Sequence, residues 1–165
     1  MLSKLIKLLP SKPVYAHCDI PCGIYDPHMM QMAAHTIIRM TMLANELHAS
    51  SDNAPFEERK KIIHDLSRAT RIKEEHGEVL KNEVRILWGD YFKPEHVEKF
   101  PELNQLVWDT LKLASKAKQN IDLEVAESLL ENVQKIAEIF WKTKGIEPIR
   151  IPSGYPTEGE IVSHK

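Results

Sequence analysis

Apolar residues recur at helical spacing in four segments of the chain, and no stretch alternates as a half-buried strand would. The first segment opens at Asp26, an N-cap residue type, with Pro27 at the first helical position. Met30, Ala33, Ala34, Ile37, Ile38, Thr41 and Met42 share one face, and the pattern fades near His48–Ser51. Asn53-Ala54-Pro55 opens a second segment, whose Ile62, Ile63, Leu66, Ala69, Ile72, Val79 and Leu80 lead towards Leu87. Gly77 lies inside it and weakens it locally. The corner Tyr91–Pro94 breaks the period. A third segment starts at Pro94 or Pro101 and carries Leu103, Leu106, Val107, Thr110, Leu111 and Ala114. Asp122 starts the fourth, with Val125, Ala126, Leu129, Leu130, Val133, Ile136, Ala137 and Phe140 as its stripe and Gly145 at its end. Four amphipathic helices with short connections predict an all-α, up-down-up-down four-helix bundle. The tail 146–165 holds Pro148, Pro152, Pro156, Gly154 and Gly159, and reads as extended or disordered, or as an arm laid on a neighbouring subunit.

At 165 residues the chain fits one domain with a real core. Its net charge of −2 gives no footprint for nucleic acid, and no stretch approaches the roughly 20 apolar residues of a membrane span. Residues 1–16 read as a removable leader ending in the small residue Ala16. Lys7 interrupts its apolar run, which favours a pro-peptide over an export signal and hence a cytoplasmic protein. Without Lys4, Lys7 and Lys12 the 22 basic residues fall to 19 against 24 acidic, a charge of −5.

Both cysteines, Cys18 and Cys22, lie just past that leader. A cut between Ala16 and His17 frees an amine beside an imidazole and two thiols. Amine and Cys18 amide nitrogen close one five-membered ring on a metal, and the Cys18 amide and its own sulfur close another. Cys22 returns across Asp19-Ile20-Pro21, where proline suits a tight turn and Gly23 lets the chain leave without a Cβ clash. Planar nitrogen and sulfur donation with an optional axial imidazole points to nickel or copper and away from tetrahedral zinc. Two thiolates favour nickel, because copper(II) tends to oxidise thiols. A Cys18–Cys22 disulfide in an oxidising compartment is the alternative reading of the pair. The amine binds only when deprotonated, so binding displaces a proton near neutrality.

The run His-Cys-Asp-Ile-Pro-Cys-Gly-Ile-Tyr-Asp-Pro, residues 17–27, resembles the nickel hook of nickel-containing superoxide dismutases. The likeness returns at Leu87-Trp88-Gly89-Asp90-Tyr91-Phe92-Lys93-Pro94, at Lys99–Leu103 and at Ile139–Lys144, covering roughly His17 to Lys144. The resemblance implies one nickel ion per subunit, held by His17, Cys18 and Cys22, and disproportionation of superoxide to O₂ and hydrogen peroxide. It implies His17 imidazole binding in the oxidised state only. Tyr25 would stand over the open face of the metal, with Tyr91 a second tyrosine near the channel. Asp19 and Lys93 are supports of the hook. A helical nickel or copper carrier without turnover is the competing function. The resemblance also implies a homohexamer with each hook wedged between subunits. A leader-processing protease is required, and a nickel chaperone is a possible further partner.

One departure stands out. Family members often steady the axial imidazole with a glutamate on the first helix and an arginine on the second. Those positions fall on Ala33 and His76 here, so His76 is the candidate support or the axial bond is looser. His28 and His35, seven apart, could share a face, while His48, His64, His96 and His164 show no metal-like spacing. Met29, Met30, Met32, Met40 and Met42 read as core gap-fillers rather than a copper cluster.

Overall fold

The computed structural model describes residues 23–165. Helix α1 (His28–Asn45) leads to α2 (Phe56–Ile86), which runs on into a π-helical turn (Leu87–Tyr91). Then come the short α3 (Pro94–Lys99), α4 (Leu103–Gln119) and α5 (Leu123–Thr143), followed by strands β1 (Pro148–Pro152) and β2 (Glu160–His164). No helix among the described residues is long and apolar enough to cross a membrane.

The start and stop signals act as their chemistry requires. Asp26 Oδ1 accepts the His28 N–H at 2.7 Å, and Asp122 Oδ1 accepts the Val125 N–H at 3.1 Å. Both prolines proposed as the third start are used: Pro94 opens α3, and Pro101 precedes α4. Helix α5 closes on Gly145 at φ +74°, with Gly145 N–H bonded to Lys142 O and Ile146 N–H to Trp141 O, both at 3.1 Å. That double closure needs a left-handed residue, which glycine supplies.

The long helices form a closed ring in which α1 packs on α2 and α5, and α4 packs on α2 and α5. The expected stripes of α1, α4 and α5 point inwards: Met30, Ala33, Ala34 and Ile37, then Leu103, Val107 and Ala114, then Ala126, Leu129, Val133, Ile136 and Phe140 are buried. Helix α2 departs from its reading. Ile63 is 65% exposed, and the buried face is Ala69, Lys73, Gly77, Leu80 and Val84. At 31 residues α2 is about 46 Å long against roughly 26 Å for the 17-residue α4, so its first half has no α4 to lean on. Gly77 is where the partner comes closest. A Cβ there would lie 2.4 Å from Lys118 Cγ on α4.

The tail is corrected by the structure. It is an antiparallel hairpin in the register Arg150↔Val162 and Ile151↔Ile161, packed on this chain's own α1 and α5. Adjacent Ile161 and Val162 are both buried, so no period-2 alternation announces β2. Side chains on distant helices hold it. The buried Gln31 amide accepts from Val162 N–H at 2.7 Å and donates to Val162 O at 3.0 Å, as a neighbouring strand would. Gln134 donates to Glu160 O at 2.6 Å, and Arg150 reaches Glu138 and Gln134. His35 is buried under the hairpin while His28, on the same side of α1, is exposed. Among the described methionines only Met30 is fully buried, and Met29 and Met32 are exposed.

Candidate metal centre

The segment that would leave the metal begins at Gly23, whose φ of +82° is the left-handed conformation that glycine adopts without strain. Ile24 follows, 75% exposed, then the half-buried Tyr25, then the cap Asp26 that fixes the start of α1. Two residues separate Gly23 from a capped helix start, so the direction in which the chain enters α1 is set.

Tyr91 comes to the same place from the far end of α2. Five residues there form the π-helical turn, with Phe92 N–H bonded to Leu87 O at 2.8 Å. The wider turn shifts the helical phase by one residue and re-aims the last side chain, as such insertions do at functional sites. Phe92 and Lys93 then run extended, as the residue before Pro94 must. The rings of Tyr25 and Tyr91 lie with centroids 5.4 Å apart, tilted by 54°.

Tyr91 is gripped from several sides. Its ring is 4.6 Å from Phe140, 5.3 Å from Phe92 and 5.7 Å from His96, which lies nearly parallel to it at 29°. Its hydroxyl is 2.7 Å from Thr143 Oγ1. The Lys144 ammonium hangs over the same aromatic group, 4.5 Å from the Phe140 centroid and 5.8 Å from that of Tyr91. Lys93 is exposed and acts here through its backbone: its carbonyl accepts the His96 N–H at 2.9 Å, and its N–H donates to His96 Nδ1 at 3.2 Å.

The structure therefore brings Tyr25 and Tyr91 together and sets Lys93 two residues beyond Tyr91. His76 is elsewhere. It sits half-buried in mid-α2 with Nδ1 3.0 Å from Ile72 O, separated from Tyr91 by about fifteen residues, roughly 22 Å along the helix. Ala16, His17, Cys18, Asp19 and Cys22 lie outside the described residues. Among the described residues no three His, Cys, Asp or Glu side chains converge as a metal site would require. The donors expected of the hook, two thiols, an amide nitrogen, and an amine with an imidazole, are of a kind that suits nickel. Sequence reasoning read Phe140 as core and His96 as no metal ligand, and gave none of Thr143, Lys144, His96 or Phe140 a place at the site. The run Ile139–Lys144 carried three of them, but their nearness to Tyr91 crosses about fifty residues of chain.

Comparison with known proteins points the same way. The family model for nickel-containing superoxide dismutase matches residues 12–144. The chain is 42% identical over 144 residues to a superoxide dismutase [Ni] of Streptomyces coelicolor, covering 87% of this chain and 98% of that one. A counterpart from Streptomyces seoulensis is 38% identical over 146 residues, with the same coverage. A native crystal structure of nickel superoxide dismutase superposes with a TM-score of 0.65 at 40% identity, over 78% of this chain and 99% of that one. A metal-free structure of such an enzyme gives a TM-score of 0.64 at 37% identity. The chain belongs to the nickel-containing superoxide dismutase family. The matched family region ends before the β-hairpin.

Proposed function

We propose that this chain converts two superoxide anions and two protons into O₂ and hydrogen peroxide, at a nickel site assembled on its N-terminal hook. Family membership supports the reaction, and the full hook sequence from His17 to Pro27 supports the ligand set. The observation that carries the reading is the convergence of Tyr25 and Tyr91 where the chain emerges from the hook. The chemistry that nickel supplies when bound is one-electron exchange, so that one superoxide leaves as O₂ and the next leaves, with two protons, as peroxide. The protein's part is to hold and shield. Cys18 and Cys22 give sulfur, the Cys18 amide gives nitrogen, and His17 gives its amine and imidazole. Tyr25 and Tyr91 are large, flat and held close together at a tilt of 54°, which narrows the approach to small diatomic species and keeps bulkier reductants from the thiolates. Asp19 and Lys93 support the hook, and His76, though about fifteen residues from Tyr91 along α2, is kept as the support for the imidazole because the hook's own path lies outside the described residues.

The amine exists only after the bond between Ala16 and His17 is cut, so the uncut chain is an inactive precursor and a processing protease is a required partner. Residues 1–16, 17–145 and 146–165 thus have separate parts: leader, nickel-binding bundle and tail. Ordering the hook opposes binding by about 1–2 kcal/mol per residue, so a surrounding wall helps the metal hold it. A homohexamer that wedges each hook between subunits supplies such a wall. Reduced thiols suit a cytoplasmic site, with a nickel chaperone as donor.

The test compares the uncut chain, a chain beginning at His17, and Cys18→Ser and Cys22→Ser forms of the latter. Nickel content and superoxide decay are measured for each. Only the trimmed chain with both sulfurs should bind one nickel per subunit and dismute superoxide. Equal turnover by the uncut chain, or by either serine variant, refutes the reading.

A further inference from the structure

We propose that Thr143 is the positioning residue for Tyr91: it takes the phenol proton, so that the tyrosine oxygen faces the centre as a hydrogen-bond acceptor. This deepens the functional reading above and rests on it for the statement that Tyr91 faces the metal. The direction of the hydrogen bond rests on proton accounting alone.

Thr143 has one hydroxyl proton and donates it to Phe140 O at 2.7 Å. In a continued helix that carbonyl would take the Lys144 N–H. Here α5 is ending, and the Lys144 N–H goes to Trp141 O at 3.0 Å. The Thr143 hydroxyl therefore satisfies one of the orphan carbonyls of the helix terminus. Turning it towards Tyr91 would leave Phe140 O unpaired beside a buried ring, the costlier arrangement. The Tyr91 hydroxyl, 2.7 Å from Thr143 Oγ1, must then be the donor. Nor can the ring swing to another partner, since Phe140, Phe92 and His96 hold it on its faces and edge.

A phenol whose proton is spent on Thr143 offers only lone pairs. It accepts from water or from hydrogen peroxide, both of which carry O–H groups. It has nothing to give superoxide, which is an anion and an acceptor only. Tyr91 thus orients water and the protonated product without anchoring the substrate. The two protons of peroxide come from another donor.

The test uses Thr143→Val, which removes the acceptor, and Thr143→Ser, which keeps both hydrogen bonds. Ultraviolet resonance Raman spectra of the metal-free protein, taken as the difference between wild type and Tyr91→Phe, report whether the Tyr91 phenol donates or accepts through its ring doublet. We expect a donor signature in wild type and Thr143→Ser, and its loss in Thr143→Val. An acceptor signature in wild type, which needs no Thr143 variant to be seen, overturns the proposal, as does an unchanged spectrum in Thr143→Val. In the nickel-loaded protein the freed phenol proton of Thr143→Val can donate to an anion. Azide should then bind roughly 3- to 10-fold tighter than to wild type, with Thr143→Ser unchanged. Azide affinity that ignores Thr143→Val overturns the placement of the acceptor at the centre. A wild-type protein that binds nickel and fails to dismute superoxide would sink the functional reading and leave the metal-free spectra untouched.

Discussion

Lys73→Met tests how the bundle is closed at the end of α4, away from the candidate centre. Lys73 is 1% exposed, on the face of α2 that meets the end of α4. Its ammonium donates to Ala117 O at 2.5 Å, Asn120 O at 2.7 Å and Lys118 O at 2.8 Å. All three donors of the group are used on carbonyls that the helix leaves open, at the end of the helix where the macrodipole favours a cation. Burial lowers the lysine pKa by desolvation, with a smaller opposing effect from the Glu74 carboxylate. Methionine keeps most of the apolar stem, so the substitution isolates the ammonium. Each hydrogen bond to a charged group contributes about 1.5–3 kcal/mol net, and desolvation of the ion takes back several kcal/mol. Removing the cation also strands carbonyls, of which Ala117 O is the least able to recruit water, at about 1–3 kcal/mol. The balance is a loss of about 3–5 kcal/mol, or roughly 10–15 °C in melting temperature for a chain of this size. Urea titration followed by far-ultraviolet circular dichroism, at one fixed protein concentration, measures it. A loss under about 1 kcal/mol would refute the reasoning, because it would mean the three carbonyls do as well without the lysine.

Further outcomes follow from named contacts. Burial lowers the His35 pKa from 6.5, with a smaller opposing effect from Glu160 O. The unfolded state therefore binds more protons between the folded pKa and about 6.5, and the contribution of His35 to stability, complete above that range, is lost as pH falls through it. The hydrogen-exchange protection of Ile161 and Val162, measured against the intrinsic rate at each pH, should fall below about pH 6.5 in wild type and lose that dependence in His35→Phe; a flat protection profile in wild type contradicts the sign. Gly77→Ala should destabilise by about 1–3 kcal/mol despite the better helix propensity of alanine, because Lys118 Cγ stands 2.4 Å from the new Cβ. A stabilised variant in thermal melts would show that α4 yields freely there. Gly23→Ala puts a Cβ on a residue at φ +82°, a strain of about 1–2 kcal/mol that falls on the turn leaving the hook. Nickel affinity measured by competition with a chelator should weaken roughly 5- to 30-fold, and an unchanged value would mean the bound hook does not use that conformation.

The α1, α4 and α5 stripes were legible because each repeats every three or four residues within a single helix. Asp26 and Asp122 were legible as caps because they bond to amides two or three residues away. The first half of α2 carries the same apolar signal, yet Ile63 is exposed, because burial depends on how far a partner helix extends. His76 was reached by counting back from Trp88, which gives a place along α2 but not what lies across from it. The hairpin was missed because its stabilising partners, Gln31, His35 and Gln134, read as ordinary polar positions on α1 and α5.

The sequence alone determined the all-α class and the helix boundaries marked by Asp26, Asp122 and Gly145. These are properties of covalent spacing and of bonds that reach only a few residues. The tertiary structure decided what meets across the chain: Tyr25 against Tyr91, Thr143 beneath the phenol, Lys73 on the end of α4, and Gln31 bound to Val162. Such contacts join residues tens to more than a hundred positions apart. Only the packing of one helix on the next fixes them, because no local propensity distinguishes one distant partner from another.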